Sequence, residues 1–382
     1  MTDDLRVSVL SPYPFHMVDQ ARELHKNGVL ERMVTAVPRS RVGLPSEKVS
    51  NRLYLSGLWY FARNAVPRAA PAMNRTIIRD FDRWAVRHLG SPTVVNGLSG
   101  LATNTLEAAS RRGSGVCCDR GSWHILEQKQ VLDDEAEHIG CPRARFEPFG
   151  LERELREYEL ADRILVPSEQ ARQSFIRRGI DPAKVAKVPF GVDISAFTPP
   201  TDPRRSGAIV SVGTVGMRKG HRYLVDAFRS LPPDSASLTL VGPVENGWAE
   251  RLDFRRGDVR AVGAVPRHRV IDELQNASVF VLASLEEGLA LVIAQAMACG
   301  LPVIATEATG VRELVTDGVE GLIVAPGDSE ALAEALEQLL ADPERATEMG
   351  RAARQRVESF GGWDRYGRQV VDVFRAVHEA RS

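Results

Sequence analysis

The sequence predicts an α/β protein built from two doubly wound parallel sheets. Three observations carry this: a length of 382 residues, short apolar runs alternating with segments of helical spacing, and a proline-rich break near the middle. A single hydrophobic core stops growing at roughly 250–300 residues, so a chain of this length divides into two domains. Short buried strands separated by helices are the pattern of parallel sheets covered on both faces.

The first half opens with an apolar run, Leu5 to Leu10, that ends in the turn residues SPYP. Val18 to Lys26 then has helical spacing before Gly28, which gives a β-loop-α start. Similar strands are expected at Thr93 to Val95, Gly115 to Cys118 and Arg163 to Val166. The segment DISAFTPPTDPRRSG, Asp193 to Gly207, reads as a linker. Beyond it strands are expected at Ala208 to Val212, Ser237 to Val241, Val259 to Val262, Val279 to Ala283, Pro302 to Ala305 and Gly321 to Val324. The domains are therefore placed at residues 1–195 and 200–362. A final helix within 363–382, with Val370, Val371, Val373, Phe374 and Val377 on one face, is expected to pack back on the first domain.

Bulk properties narrow the function by exclusion. A net charge of −1 offers no general attraction to nucleic acid or to an anionic surface. The N-terminus MTDDLRVSVLSPYPF is acidic with too short an apolar run for a signal peptide, and no run of 18 apolar residues follows, so a cytoplasmic protein is expected. Cys117, Cys118, Cys141 and Cys299 form neither a disulfide framework nor a pair of zinc knuckles, and reduced thiols are expected.

In sheets of this type ligands bind at the carboxyl ends of the strands, so the loops there carry the chemistry. After the strand ending at Ala283 comes SLEEG, then a helix expected from Leu289 to Ala298 and closed by Gly300 and Pro302. This loop would bring Glu287 and the amides of Gly288, Leu289 and Ala290 to a helix N-terminus, where an electron-rich ligand is favoured. Gln295 lies farther along the same helix. A second loop, VSVGTVGMRKG from Val210 to Gly220, offers backbone amides at Gly213 and Thr214 and the adjacent cations Arg218 and Lys219, a set suited to a diphosphate. It lacks the Gly-Lys-Ser/Thr triplet of a Walker loop.

The run EEGLALVIAQAMACGLPVIAT, followed by GVRELVTDGVEGLIVAPGD, resembles the signature of the family 4 glycosyltransferases. That resemblance implies two Rossmann-like domains facing across a cleft, the arrangement called GT-B. It implies a retaining, hexosyltransferase-like enzyme that takes sugar from a nucleoside-diphosphate sugar, with no cofactor or metal, in glycan, glycolipid or glycoconjugate biosynthesis. The family frames its segment with two glutamates, one on the donor sugar and one on the ribose. Glu287 matches the first, and Gln295 stands in place of the second, giving up a charge-assisted bond. Lys219 occupies the lysine of the family's diphosphate clamp. Thr214 stands where an arginine is usual, and Arg218 would supply that charge.

The stretch LADRILVPSEQARQSFIRRGIDPAKVAKVPFGVDISAF resembles the family's approach to the second domain, with Ser168 as a helix N-cap and Gly191 nearest the ligand. Phe190 replaces the usual asparagine. In DRGSWH the resemblance implies that His124 meets the donor sugar and Arg120 a phosphate or acidic acceptor. The Gly-Gly pair of the first loop is absent, with Phe15 and His16 near that place. The acceptor would be a saccharide, lipid-linked glycan or small molecule bearing a hydroxyl.

Two further features have a simpler reading beside the functional one. Asp80-Phe81-Asp82 spells a metal-binding DxD but falls in a probable helix, where solvated acids beside arginines are expected. Asn51 to Leu89 interleaves seven arginines with aromatic and leucine residues, suiting peripheral contact with the inner face of a membrane or ordinary helical packing. Two alternatives to a transferase are a non-catalytic nucleotide-sugar-binding partner and an NAD-dependent dehydrogenase. The second lacks GxGxxG after its first strand.

Overall fold

The computed structural model describes residues 4–53, 70–144, 146–202 and 204–381. Residues 54–69 of the arginine-rich segment, for which membrane contact was expected, lie outside the described residues, whereas residues 51–53 and 70–89 of it are described. No helix among the described residues is long and apolar enough to cross a membrane.

Two parallel sheets form the protein. The first contains seven strands in the order β3-β2-β1-β4-β5-β6-β7. They are β1 Val7–Leu10, β2 Leu30–Thr35, β3 Val49–Asn51, β4 Val94–Leu98, β5 Gly115–Asp119, β6 Arg163–Val166 and β7 Val185–Lys187. The second contains six, ordered β10-β9-β8-β11-β12-β13. These are β8 Ala208–Val212, β9 Ser237–Val241, β10 Val259–Gly263, β11 Val279–Leu282, β12 Val303–Thr306 and β13 Gly321–Val324. Strands β1, β4, β5, β11 and β12 are buried at every position, because helices cover both faces. Burial of a side chain such as Phe280, fully shielded in β11, contributes about 1.5–3 kcal/mol.

Strands β2, β3 and β7 were not among those expected from sequence. The two outermost, β3 (VSN) and β7 (VAK), are three-residue edges too short for a periodic signal. In β2 the run LERMVT carries two charged residues on partly buried positions, which hides its alternation.

In each sheet the strand order reverses between the first strand and its fourth: β1 lies beside β4, and β8 beside β11. Loops that leave on opposite faces open a crevice at that point. The two crevices are brought together around Gly288, whose absent Cβ leaves room for the Gly121 carbonyl after β5: a Cβ there would lie 2.1 Å from that oxygen. Ser168 caps the helix Glu169–Arg177 through the Ala171 amide (3.1 Å), as expected, and also donates to the Gly288 carbonyl at 2.6 Å.

The last helix, Trp363–Glu379, lies against helix α1, His16–Lys26, and the first sheet. Gln20 donates to the Tyr366 hydroxyl at 2.8 Å, and Val377 fills the space left by Gly115 in β5. Arg381 closes the contact on Asp162 at 2.7 Å.

The DxD motif lies on helix α2, Ala70–Ala85, but its second acid is not solvated. Asp82 is fully buried, accepts from the Asn104 and Thr105 amides that begin helix α3 (Thr103–Arg111), and pairs with Arg153 at 2.6 Å. Asp80 pairs with Arg52 at 3.0 Å. A buried carboxylate needs such partners, and helix-capping amides supply them.

Candidate active site

The loop after β8 and the loop after β11 meet at the crevice of the second sheet. Gly220 makes this possible: its φ is +63°, and a Cβ there would lie 1.9 Å from the Ala283 carbonyl. The chain can therefore double back only with glycine at this position. The turn brings Lys219 Nζ to 2.5 Å from Glu287 Oε1, while the Arg218 guanidinium reaches Glu287 at 3.2 Å and Glu286 at 3.0 Å.

Lys219 and Glu287 line a cavity of about 440 Å³ together with Gly213, Val292 and Gln295. Gly213, at φ +151°, keeps the Lys219 stem close: a Cβ there would lie 3.1 Å from its Cε. Helix α5 starts at Leu291 rather than Leu289 and runs to Ala298. The Ala290 amide is already committed to the Thr309 carbonyl at 3.2 Å, and that of Glu287 to the Ala308 carbonyl at 2.9 Å. Of the three expected amides only that of Ala290 is thus committed; those of Gly288 and Leu289 have no backbone acceptor among the described residues, and the helix start adds the amides of Leu291 and Val292. Gln295 stands one turn along from Leu291 on the same face. It also borders a second cavity of about 830 Å³, shared through Arg267 and Leu291, which Asp19, Arg22, Glu23 and Lys26 of α1 also line.

Other expected donor contacts are placed differently. Gly191 borders the larger cavity, but its missing Cβ accommodates the Trp363 backbone, which a Cβ would approach to 2.4 Å. Thr214 is exposed at the loop tip. Arg218 is held by two carboxylates and does not border the 440 Å³ cavity.

Neither residue expected from DRGSWH faces that cavity. His124 is 3% exposed and caps helix α4, Ile125–His138, where its Nδ1 accepts from the Leu126 amide at 3.2 Å. Its ring packs between Tyr158 and Phe175, with centroids 5.1 and 5.0 Å away. Burial, followed by the cations Arg178 and Arg120, lowers its pKa to about 4, so the ring is a neutral cap. Arg120 turns inward to Glu154 at 3.0 Å and donates to Gln128 at 2.8 Å.

Glu286 was not singled out in the sequence. Fully buried, it accepts from the Ser122 hydroxyl, the Trp123 amide (3.1 Å) and Gln128 (2.6 Å) of the first half while holding Arg218 of the second. Burial by itself would raise its pKa. Arg218, Ser122, Trp123 and Arg120 outweigh burial and hold it below the ordinary value, so it ties the halves together as a carboxylate. A second missed pair is His16 and Asp119, joined at 2.7 Å although they are 103 positions apart. The neighbouring aromatic Phe190 lies over the His16 ring with centroids 4.3 Å apart.

A further cavity of about 610 Å³ lies at the opposite, amino ends of β8, β11 and β12, near Gly207, Ser278 and Pro302. Two of its three guanidinium groups already serve carbonyls: Arg204 that of Ala277 at 3.0 Å, and Arg354 that of Phe197 at 2.7 Å.

Residues 200–356, which carry the Lys219–Glu287 pair, match the family model described as glycosyl transferases group 1. The group 1 match begins in the linker and ends before the last helix. Over 250 residues the chain is 30% identical to the alpha-maltose-1-phosphate synthase of Mycolicibacterium smegmatis, covering 57% of this chain and 64% of that protein. Over 244 residues it is 31% identical to the D-inositol 3-phosphate glycosyltransferase of Xylanimonas cellulosilytica, covering 58% of each. The chain thus spans about three fifths of the length of these curated relatives.

Among solved structures, a sucrose-phosphate synthase from Thermosynechococcus elongatus superposes with a TM-score of 0.72 over 98% of this chain and 100% of that one, at 21% identity. Anabaena HepE, in complex with UDP, superposes at 0.69 over 97% of this chain and 100% of its own, at 18% identity. Both share the GT-B arrangement of two parallel sheets seen here.

Proposed function

We propose that this chain is a retaining glycosyltransferase that moves a sugar from a nucleoside-diphosphate sugar to an acceptor hydroxyl. The observation that carries the reading is the convergence of Lys219 and Glu287, from two loops of the region that matches the group 1 model, on one cavity that Leu291 and Val292 at the start of α5 also line. Residues 200–362 form the donor domain in this reading. Residues 1–195, with the helix of 363–382, form the acceptor side.

A diphosphate entering the cavity takes over Lys219 and the Leu291 and Val292 amides, releasing Glu287 to accept hydrogen bonds from sugar hydroxyls. Lys219 then stabilises the charge that grows on the leaving diphosphate, with Arg218 adding positive potential from behind Glu287. No metal is required for this. Gln295 meets the ribose through neutral hydrogen bonds. The acceptor oxygen attacks the face from which the diphosphate departs, so the anomeric configuration is kept. The relatives' names, with inositol 3-phosphate and maltose 1-phosphate, support a phosphorylated small molecule or saccharide as acceptor. HepE with UDP supports a nucleotide-sugar donor.

The test is incubation with UDP-glucose, UDP-N-acetylglucosamine, ADP-glucose and GDP-mannose, with cell-extract acceptors, reading nucleoside-diphosphate release, thermal shift and, by NMR, the product's anomeric configuration. Release with retention is expected, reduced at least about tenfold in Lys219→Ala and Glu287→Ala. A thermal shift without release would return the non-catalytic alternative. Inversion, or full activity in both variants, would remove the mechanism.

A further inference from the structure

The cavity of about 610 Å³ at the amino ends of β8, β11 and β12 stands apart from the donor site. Its volume suits a small molecule, since sites for such ligands measure about 300–1,000 Å³. The linker forms one wall through Pro199, Pro200 and Arg204, and helices α6, Ser329–Ala341, and α7, Pro343–Phe360, form another. Helix α5 reaches from one cavity to the other. Leu291 and Val292 at its start line the donor cavity, and Gly300 just past its end lines this one. From Leu291 to Ala298 the helix rises about 10 Å.

The walls carry more positive charge than they neutralise. Arg204 serves the carbonyls of Leu274, Gln275, Ala277 and Cys299 and meets no carboxylate among the described residues. Burial holds it below the ordinary arginine value. Arg354 serves the Phe197 and Ala298 carbonyls and, of the three guanidiniums, alone has a carboxylate, Glu358 at 2.6 Å. Arg351 is exposed and, like Gln355 one turn farther along α7, makes no hydrogen bond or ion pair among the described residues. The one carboxylate of the lining, Asp202, is also exposed and pairs with no cation among them. Two guanidiniums therefore stand uncompensated against one carboxylate.

Two hydroxyls of the lining are already committed, Ser278 to the Ala208 carbonyl at 3.0 Å and Thr347 to that of Pro343 at 2.8 Å. Around them the surface is apolar, from Pro199, Pro200, Val279, Pro302, Leu339 and Leu340. A concave apolar wall with an unpartnered guanidinium and amide on one helix face fits a ligand that has an apolar body and an anionic head. We infer that this cavity is a second binding site, which takes a small organic anion with a hydrocarbon body and holds its head on Arg351 and Gln355. Carboxylates and phosphate monoesters share that chemistry.

The experiment titrates the full chain by calorimetry with octyl phosphate, octanoate, octanol and inorganic phosphate, the amphiphiles below their micelle concentrations. At least one octyl anion is expected to bind once per chain, at least about tenfold tighter than octanol or inorganic phosphate. The tighter of the two anions tells a phosphate head from a carboxylate, and equal binding of both also supports the site. Shortening the tighter anion by two methylenes should weaken it about tenfold, because each methylene leaves apolar surroundings. Octanol binding as tightly as both anions, neither anion binding, or no dependence on chain length would overturn the inference.

Arg351→Ala is expected to weaken the tighter anion at least about tenfold. Thr347→Trp, which sets an indole into the cavity, should abolish binding. Both positions are exposed, so thermal midpoints near wild type should accompany these losses. Lys219→Ala should leave the affinity within about twofold of wild type, because the donor cavity is a separate place. A loss of about tenfold in Lys219→Ala would put the anion in the donor cavity and overturn the inference. Full binding in both Arg351→Ala and Thr347→Trp would do the same. No donor and no turnover enter these measurements, so absence of sugar transfer would count against the proposed function alone.

Discussion

Glu286→Gln is the substitution whose consequence the structure defines most fully. Glu286 has no exposed surface and receives four donors: the Ser122 hydroxyl, the Trp123 amide, the Gln128 amide and the Arg218 guanidinium. A glutamine keeps one acceptor oxygen and puts an NH₂ where the carboxylate's second oxygen now meets Gln128 and Arg218, so donors face donors. Ser122 and Trp123 can still be served. Breaking one side of a buried ion pair costs about 3–5 kcal/mol, and Arg218 keeps part of that through Glu287 at 3.2 Å. A loss of about 3 kcal/mol is therefore expected. With an unfolding entropy near 2.1 cal/mol/K per residue, a cooperative unit of this size has about 0.8 kcal/mol/K. The thermal midpoint should then fall by roughly 4 °C by differential scanning calorimetry. Because the pair links the two halves, Glu286→Gln and Arg218→Met together should cost less than the sum of the singles. A midpoint within about 1 °C of wild type, or strict additivity, would refute Glu286 as the tie between the halves.

Three more outcomes follow from the same geometry. Gln295→Glu should tighten binding of the donor nucleotide about fivefold by calorimetry, because a charge-assisted bond to the ribose is roughly twice as strong as a neutral one; weaker binding would place the ribose elsewhere. Gly220→Ala should destabilise by at least ~3 kcal/mol in denaturant titration, since the strained φ and the Ala283 carbonyl leave no relaxed position for a methyl group; a cost below ~1 kcal/mol would contradict the loop. His124 and His221, both buried and lowered from 6.5 to about 4, bind fewer protons when folded than when unfolded. Their stability contribution is present above pH 6.5 and lost as pH falls toward 4, by up to about 2 kcal/mol each at pH 5. His124→Gln should flatten that acid limb in unfolding measurements, and an unchanged slope would show that the ring is already charged.

Two histidines show where sequence reasoning stopped. DRGSWH put His124 directly after a strand end, a position where a ligand contact is reasonable, yet its ring turns into the Tyr158–Phe175 cluster and closes a helix. His16 carried no signal, because its meaning depends on Asp119, 103 positions away. Glu286 and Glu287 are a related case. Neighbouring residues in an extended loop point to opposite sides, and nothing local says which side faces the cavity and which the other half of the protein.

The sequence by itself determined the strand-loop-helix order, most of the central strands, the fold class, and the pairing of the RKG and SLEEG loops as the chemistry-bearing segments. These are written in short-range spacing: apolar runs, glycines at sharp turns and helix-closing residues. Tertiary structure alone decided which amides remain free at the start of α5, that Asp82 is a buried cap rather than a solvated acid, and that Asp119 pairs with His16. The physical reason is that burial and hydrogen-bond partnership depend on strand order. In both sheets that order puts the first strand beside the fourth, joining residues that no local period relates.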